Sequence, residues 1–176
     1  MSDPSTVLKP YGAEDFLSTE NLYRADDAVT EIFAMMFGLK IQAIEGPVLD
    51  HPSPQLDDLT AIVGFSGAMR GSCQIRISSA AAQSIASAML GAPIKDDDDS
   101  INDAVGELCN MFAGGWKNGI PELSSECALS PPTVISGHHY KVHVRKPSAM
   151  LSRTYQFDSH ALYLTLHCES IDGSRE

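Results

Sequence analysis

No stretch of this 176-residue chain holds the roughly 18 to 20 consecutive apolar residues that a membrane-spanning helix needs. The first residues, Met-Ser-Asp-Pro-Ser, lack the basic and then apolar regions of a signal peptide, so a cytoplasmic protein is expected. Positive charge is scarce: 12 Lys and Arg stand against 23 Asp and Glu, a net charge of -11. That balance argues against nucleic acid and against anionic membrane surfaces as partners. Cysteine is sparse as well. Cys73, Cys109, Cys127 and Cys168 show no Cys-x-x-Cys spacing, which excludes the usual zinc and dithiol redox motifs and leaves small, reduced packing residues.

What is present suits one domain with a proper core. Residues 1–21, rich in Pro, Ser, Gly and acids, read as an N-terminal tail or arm, and 22–176 as a single domain. A first helix starts near Leu22, carries the apolar stripe Ala28, Val29, Ile32, Phe33, Met36 and Phe37, and stops at Gly38. A short strand in Leu39 to Gly46 and a loop in Pro47 to Pro54 follow. Leu59 to Gly67 and Gly71 to Ser78 read as a hairpin, and Ala80 to Leu90 as a second helix. Asp96 to Asp99 lack the Gly and distal Glu of a calcium loop and read as acids at a helix start, capped by Asp99 or Ser100 with Asp103 in support. Four late strands are expected at Ser124 to Leu129, Tyr140 to Val144, Met150 to Phe157 and Ala161 to Cys168, with Pro131 to Gly137 as a rigid bend. Without an alternating βαβ rhythm, the fold class is α+β: an antiparallel sheet with helices packed on it.

The stretch most suited to chemistry is Asp103 to Asn118. At roughly 100° per residue, Val105, Leu108, Cys109, Phe112 and Trp116 share one face, while Asp103, Glu107, Asn110, Gly114, Lys117 and Asn118 share the other. The wet face is unusual because it spends Asn and Gly inside a helix, where both disfavour the helical state. Glu107 and Asn110, three apart, leave the same face as neighbours. Together they can grip a cation and orient a water. Taken alone, such a pair also fits an ordinary solvated face. Asp27 to Gly38 aligns without gaps on Asp103 to Gly114, with Asp, Ala, Val, Glu, Met and Gly coinciding. A pseudo-twofold internal repeat is therefore expected, with Ala34 where the later copy has Asn110. His138, His139 and His143 form a histidine cluster and, with Asp96 to Asp99, offer a metal-hydrolase alternative; surface histidines and no metal site are the expectation.

Asp103-x3-Glu107-x2-Asn110, followed by Pro132 in Pro-Thr-Val-Ile-x-Gly, resembles the signature of the CheC, CheX and FliY phosphatases of bacterial chemotaxis. Gly64-Phe-Ser-Gly67, Arg70-Gly71 and Met89-Leu-Gly91 are similar to CheX in order and spacing. The gap from Asn110 to Pro132 is one residue shorter than is usual there. The resemblance implies a CheC-like fold and a phosphatase acting on the phosphoaspartate of a CheY-like receiver domain. It implies Glu107 and Asn110 as the catalytic pair, Glu107 meeting the receiver's lysine and Asn110 the attacking water. Asp103, Met111, Gly114, Lys117 and Pro132 would touch the partner. The single pair points to CheX and so to a homodimer, with no cofactor of its own and Mg²⁺ on the receiver. A non-catalytic module docking on a receiver or flagellar-switch protein fits the same residues.

Overall fold

The computed structural model describes residues 11–45, 58–95, 99–137, 140–144 and 147–171. In chain order the elements are α1 (Ala13–Phe16), α2 (Thr19–Ile32) with a π-helical last turn (Phe33–Phe37), β1 (Gln42–Ile44), β2 (Asp58–Gly67), β3 (Met69–Ser78) and α3 (Ser79–Leu90). Then follow α4 (Ser100–Asn118), α5 (Pro121–Ser124), β4 (Cys127–Leu129), β5 (Thr133–Gly137), β6 (Ala149–Phe157) and β7 (His160–Ile171). The strands form one sheet in the order β1-β6-β7-β3-β2-β4, with β5 also on β2, and every pairing is antiparallel.

Alternation decides which face is covered. Cys73, Ile75 and Ile77 of β3, Leu162, Leu164 and Leu166 of β7, and Ala61, Val63 and Phe65 of β2 are buried, while their neighbours Gln74, Arg76, Tyr163 and Thr165 are half-buried. The period of two puts the first set on one side, and there α3 and α4 lie across the sheet. α4 supplies Val105, Leu108, Cys109, Phe112 and Trp116 to that core, each at most 2% exposed. This is the apolar face read from the sequence.

The two halves mirror one another. α2, β1 and the β2–β3 hairpin match α4, β5 and the β6–β7 hairpin, and β3 joins β7 at the centre. Each half hands its short strand to the other: β1 pairs with β6 and β5 with β2. The repeat in the sequence thus corresponds to a repeat in topology. α2 ends at Gly38, whose left-handed φ of 64° suits a residue without a side chain.

Some expectations need correcting. The packed body starts before residue 22: Phe16 on α1 is fully buried and Ser18 caps α2 by accepting from the Asn21 N–H at 3.1 Å. Helix α4 has Asp99 at its cap position with no side-chain cap bond; the Asp99 carbonyl instead accepts from the Asn102 and Asp103 N–H groups. Thr133 to Gly137 is a paired edge strand, since the prolines lie just before it rather than in it. Tyr140 to Val144 forms no strand, and the Ser124 to Leu129 run narrows to β4 because Pro121 starts a helical turn ahead of it. The Pro47 to Pro54 loop, Asp96 to Asp98, His138 and His139 lie outside the described residues.

Candidate functional site

Helix α4 presents its polar side to solvent beside the β4–β5 edge. Asp103 and Glu107 are exposed, and Asn110, Met111 and Gly114 are half-buried. Among the described residues none makes a hydrogen bond or ion pair with the Glu107 carboxylate or the Asn110 amide, and both are open to water. The pair is three residues apart on a continuous helix, so both side chains can reach one visiting group.

Asn110 lies between two glycines on its stripe of the helix. Residues 106, 110 and 114 lie one turn apart on the same stripe, and both outer positions are glycine. A Cβ at Gly106 would stand 3.2 Å from Val134 Cγ2 and 3.4 Å from Pro132 Cγ, while one at Gly114 would stand 3.9 Å from Leu129 Cδ1. The stripe therefore faces the edge chain from Leu129 to Val134, of which Pro131 and Pro132 are exposed, with half-buried Asn110 between the two glycines. Pro132 is adjacent to the helix at Gly106, although the Asn110 to Pro132 gap is one residue short of the family spacing.

Lys117 departs from expectation. Its side chain is 8% exposed and its amine donates to the Ser124 carbonyl. A helical projection puts it on the wet face, but α5 turns back over that position and its last carbonyl, that of Ser124, accepts from the ammonium. It is not available to a partner.

The core behind the pair is held in part by buried cysteines. The Cys109 thiol has its one proton between the Ala61 and Cys73 carbonyls, with Sγ 3.5 and 3.6 Å from them, tying α4 to β2 and β3. The Cys73 thiol is held well above its ordinary range, first by its hydrogen bond with Cys109 and then by burial, and burial raises Cys127 and Cys168 too. All four cysteines are free and buried, matching the packing role read for them. Among the described residues no three His, Cys, Asp or Glu side chains converge as a metal site, and His143 is exposed.

Three groups of residues were not found by sequence reasoning. Trp116 Nε1 donates to Asn21 Oδ1 at 2.8 Å and Asn21 Nδ2 to the Phe16 carbonyl at 2.7 Å, all buried; leaving such a group unpaired costs about 1 to 3 kcal/mol. Asp26 on α2 receives Arg153 Nε at 3.0 Å, Arg153 Nη2 at 2.5 Å and the Tyr155 hydroxyl at 2.8 Å, fixing α2 to β6. Burial, and then the bond to Asp26, push the Tyr155 hydroxyl far above its ordinary pKa. The third group is Gly106, one turn before Asn110, and Ser130, bonded to Gly64 in the facing edge chain. The spacing Gly-x3-Asn-x3-Gly could have revealed Gly106; nothing local marks Ser130.

Comparison with known proteins identifies the family. The family model described as "Chemotaxis phosphatase CheX" matches residues 59–155, which include all of α4 and Pro132. The CheY-P phosphatase CheX of Thermotoga maritima is 34% identical over 85 residues, covering 48% of this chain and 55% of that protein; the match spans about half the length of that relative. The fold is shared with CheX from Vibrio vulnificus, with a TM-score of 0.72 and 21% identity over 86% of this chain and 100% of that one. It is shared also with a chain of the CheX-CheY-BeF3-Mg+2 complex from Borrelia burgdorferi, with a TM-score of 0.67 and 20% identity over 85% of this chain and 98% of that one. With more than half of its 176 residues matched, α4 among them, the chain belongs to the chemotaxis phosphatase CheX family.

Proposed function

We propose that this protein hydrolyses the phosphoaspartate of a CheY-like receiver domain, with Glu107 and Asn110 as the groups it contributes. The observation that carries the reading is the free carboxylate and free amide side by side on α4, open to solvent beside Pro132. The relative named as a CheY-P phosphatase and the CheX–CheY complex among the similar structures support the same partner.

The chemistry asks little of the visiting helix. An acyl phosphate is already labile. The oxygen of one water attacks phosphorus in line, the bond from phosphorus to the aspartyl oxygen breaks, and inorganic phosphate and a free carboxylate result. The Asn110 amide both accepts and donates, so it can orient that water without titrating. Glu107 docks against the receiver's lysine, and Asp103, Met111, Gly114 and Pro132 surround the contact. The Mg²⁺ that steadies the phosphoryl oxygens stays with the receiver, and this chain needs no cofactor of its own. Action as a homodimer in the cytoplasm completes the reading.

The test is turnover. With a phosphorylated receiver in excess, catalytic amounts of this protein accelerate phosphate release, and Asn110→Ala lowers the rate by about 10² to 10³, the scale for losing one positioned donor. Glu107→Ala weakens docking as well. Release that is only stoichiometric, or unchanged by Asn110→Ala, would make the protein a binding module instead.

A further inference from the structure

The edge chain opposite β2 is one strand interrupted by a bulge. Phe65 pairs with Leu129 and Ile62 with Thr133, so two residues of β2, Val63 and Gly64, face three of the edge chain: Ser130, Pro131 and Pro132. An extra residue must leave the ladder, and prolines, with no N–H to give, leave it without losing a bond. A bulge of this kind could rest in several places. Ser130 stops that: its N–H donates to the Gly64 carbonyl at 2.9 Å, its Oγ accepts from the Gly64 N–H at 2.8 Å, and the same hydroxyl donates to the Pro131 carbonyl at 2.9 Å. From the other side α4 lies close against the bulge at Gly106, where a Cβ would press on Val134 and Pro132 at 3.2 and 3.4 Å. The bulge is clamped between β2 and α4 at the level of Asn110.

We infer that Ser130 is a positioning residue, holding Pro131 and Pro132 as a fixed wall that sets the angle at which a phosphorylated receiver meets Asn110. This rests on the phosphatase reading. In-line attack tolerates little misplacement, and an error near 1 Å can cost on the order of 10² in rate. A wall that wanders leaves the docking contacts available but reduces the fraction of docked receivers with Asn110 aligned. The loss then falls on kcat rather than on KM.

The experiment measures kcat and KM with a CheY-like receiver phosphorylated by a small-molecule phosphodonor, together with the melting temperature of each variant. Ser130→Ala is expected to lower kcat about 10-fold while KM moves less than about 2-fold, with the melting temperature near that of the parent. Ser130→Thr keeps the hydroxyl and restores kcat. Gly106→Ala, which presses the wall outward, lowers kcat with Ser130 intact. A Ser130→Ala variant at parental kcat, a Ser130→Thr variant as slow as Ser130→Ala, or a rate loss equal to the loss of folded protein would overturn the inference. Asn110→Ala in the same assay separates the two failures. If the parent is no faster than Asn110→Ala, the phosphatase reading falls and this inference with it; if those differ while Ser130→Ala matches the parent, the inference falls alone.

Discussion

His167 lies on β7, 7% exposed, with Ser72 Oγ 3.4 Å from its Nδ1. Burial lowers its pKa below the ordinary 6.5, and Glu169 acts weakly in the opposite direction. A lowered value in the folded state means that the unfolded chain takes up the proton first. The stability tied to neutral His167 is therefore present above about pH 6.5 and is lost as pH falls through the folded value. Thermal melts are expected to show the midpoint falling between about pH 7 and pH 5, and His167→Gln to flatten part of that fall. An unchanged slope in the variant would assign it to the carboxylates. At this scale the candidate site was partly legible. Glu107 and Asn110 could be read because their spacing and the placement of polar residues within the helix are local facts. The burial of Lys117 could not, because α5 covers it. Nor could the role of Ser130, whose partner Gly64 is 66 positions away.

The two related helices show how an element of one pattern can be spent differently. α2 repeats the Asp, Glu and Gly of α4, and its Asp27, Glu31 and Ala34 are exposed as Asp103 and Glu107 are. Two features set it apart besides the missing amide. Its last turn, Phe33–Phe37, is π-helical, which widens the turn at Ala34. Where the α4 side has the clamped proline wall, the chain before β1 runs Leu39-Lys40-Ile41, and an open groove of about 490 Å³ lies between Thr30, Ala34, Lys40, Gln156 and Asp158. If orientation against a wall matters as much as the amide, supplying the amide alone is not enough. Ala34→Asn placed in the Asn110→Ala background is therefore expected to leave receiver dephosphorylation at the Asn110→Ala rate. Recovery to within about tenfold of the parent, a step worth 1.36 kcal/mol, would mean that the pair suffices without its surroundings. Helices and long hairpins were legible because their periods are local and their ends carry Gly or Ser. The edge strand β5 was not, since paired prolines mark a bend just as well as a bulge.

Across the whole molecule, the exchange of short strands governs how the fold holds together. β1 from the first half completes the sheet at β6, β5 from the second completes it at β2, and the Asp26–Arg153 pair ties α2 to β6. The gapless helix alignment predicted two related halves, but sequence periodicity carries no information on which half a short strand joins. Neither half can keep its sheet edge or bury its helix without the other, so independent unfolding is disfavoured. Trp116 gives a clean test because it is the chain's one tryptophan. It lies in the second half yet packs on Phe16 and Phe65 of the first, at ring distances of 6.0 and 5.4 Å, and bonds to Asn21. In urea its fluorescence and the far-ultraviolet circular dichroism are expected to report one transition with a common midpoint and a single slope. Two separated midpoints would show that the halves hold themselves up individually, and that the exchanged strands decorate the sheet rather than lock it.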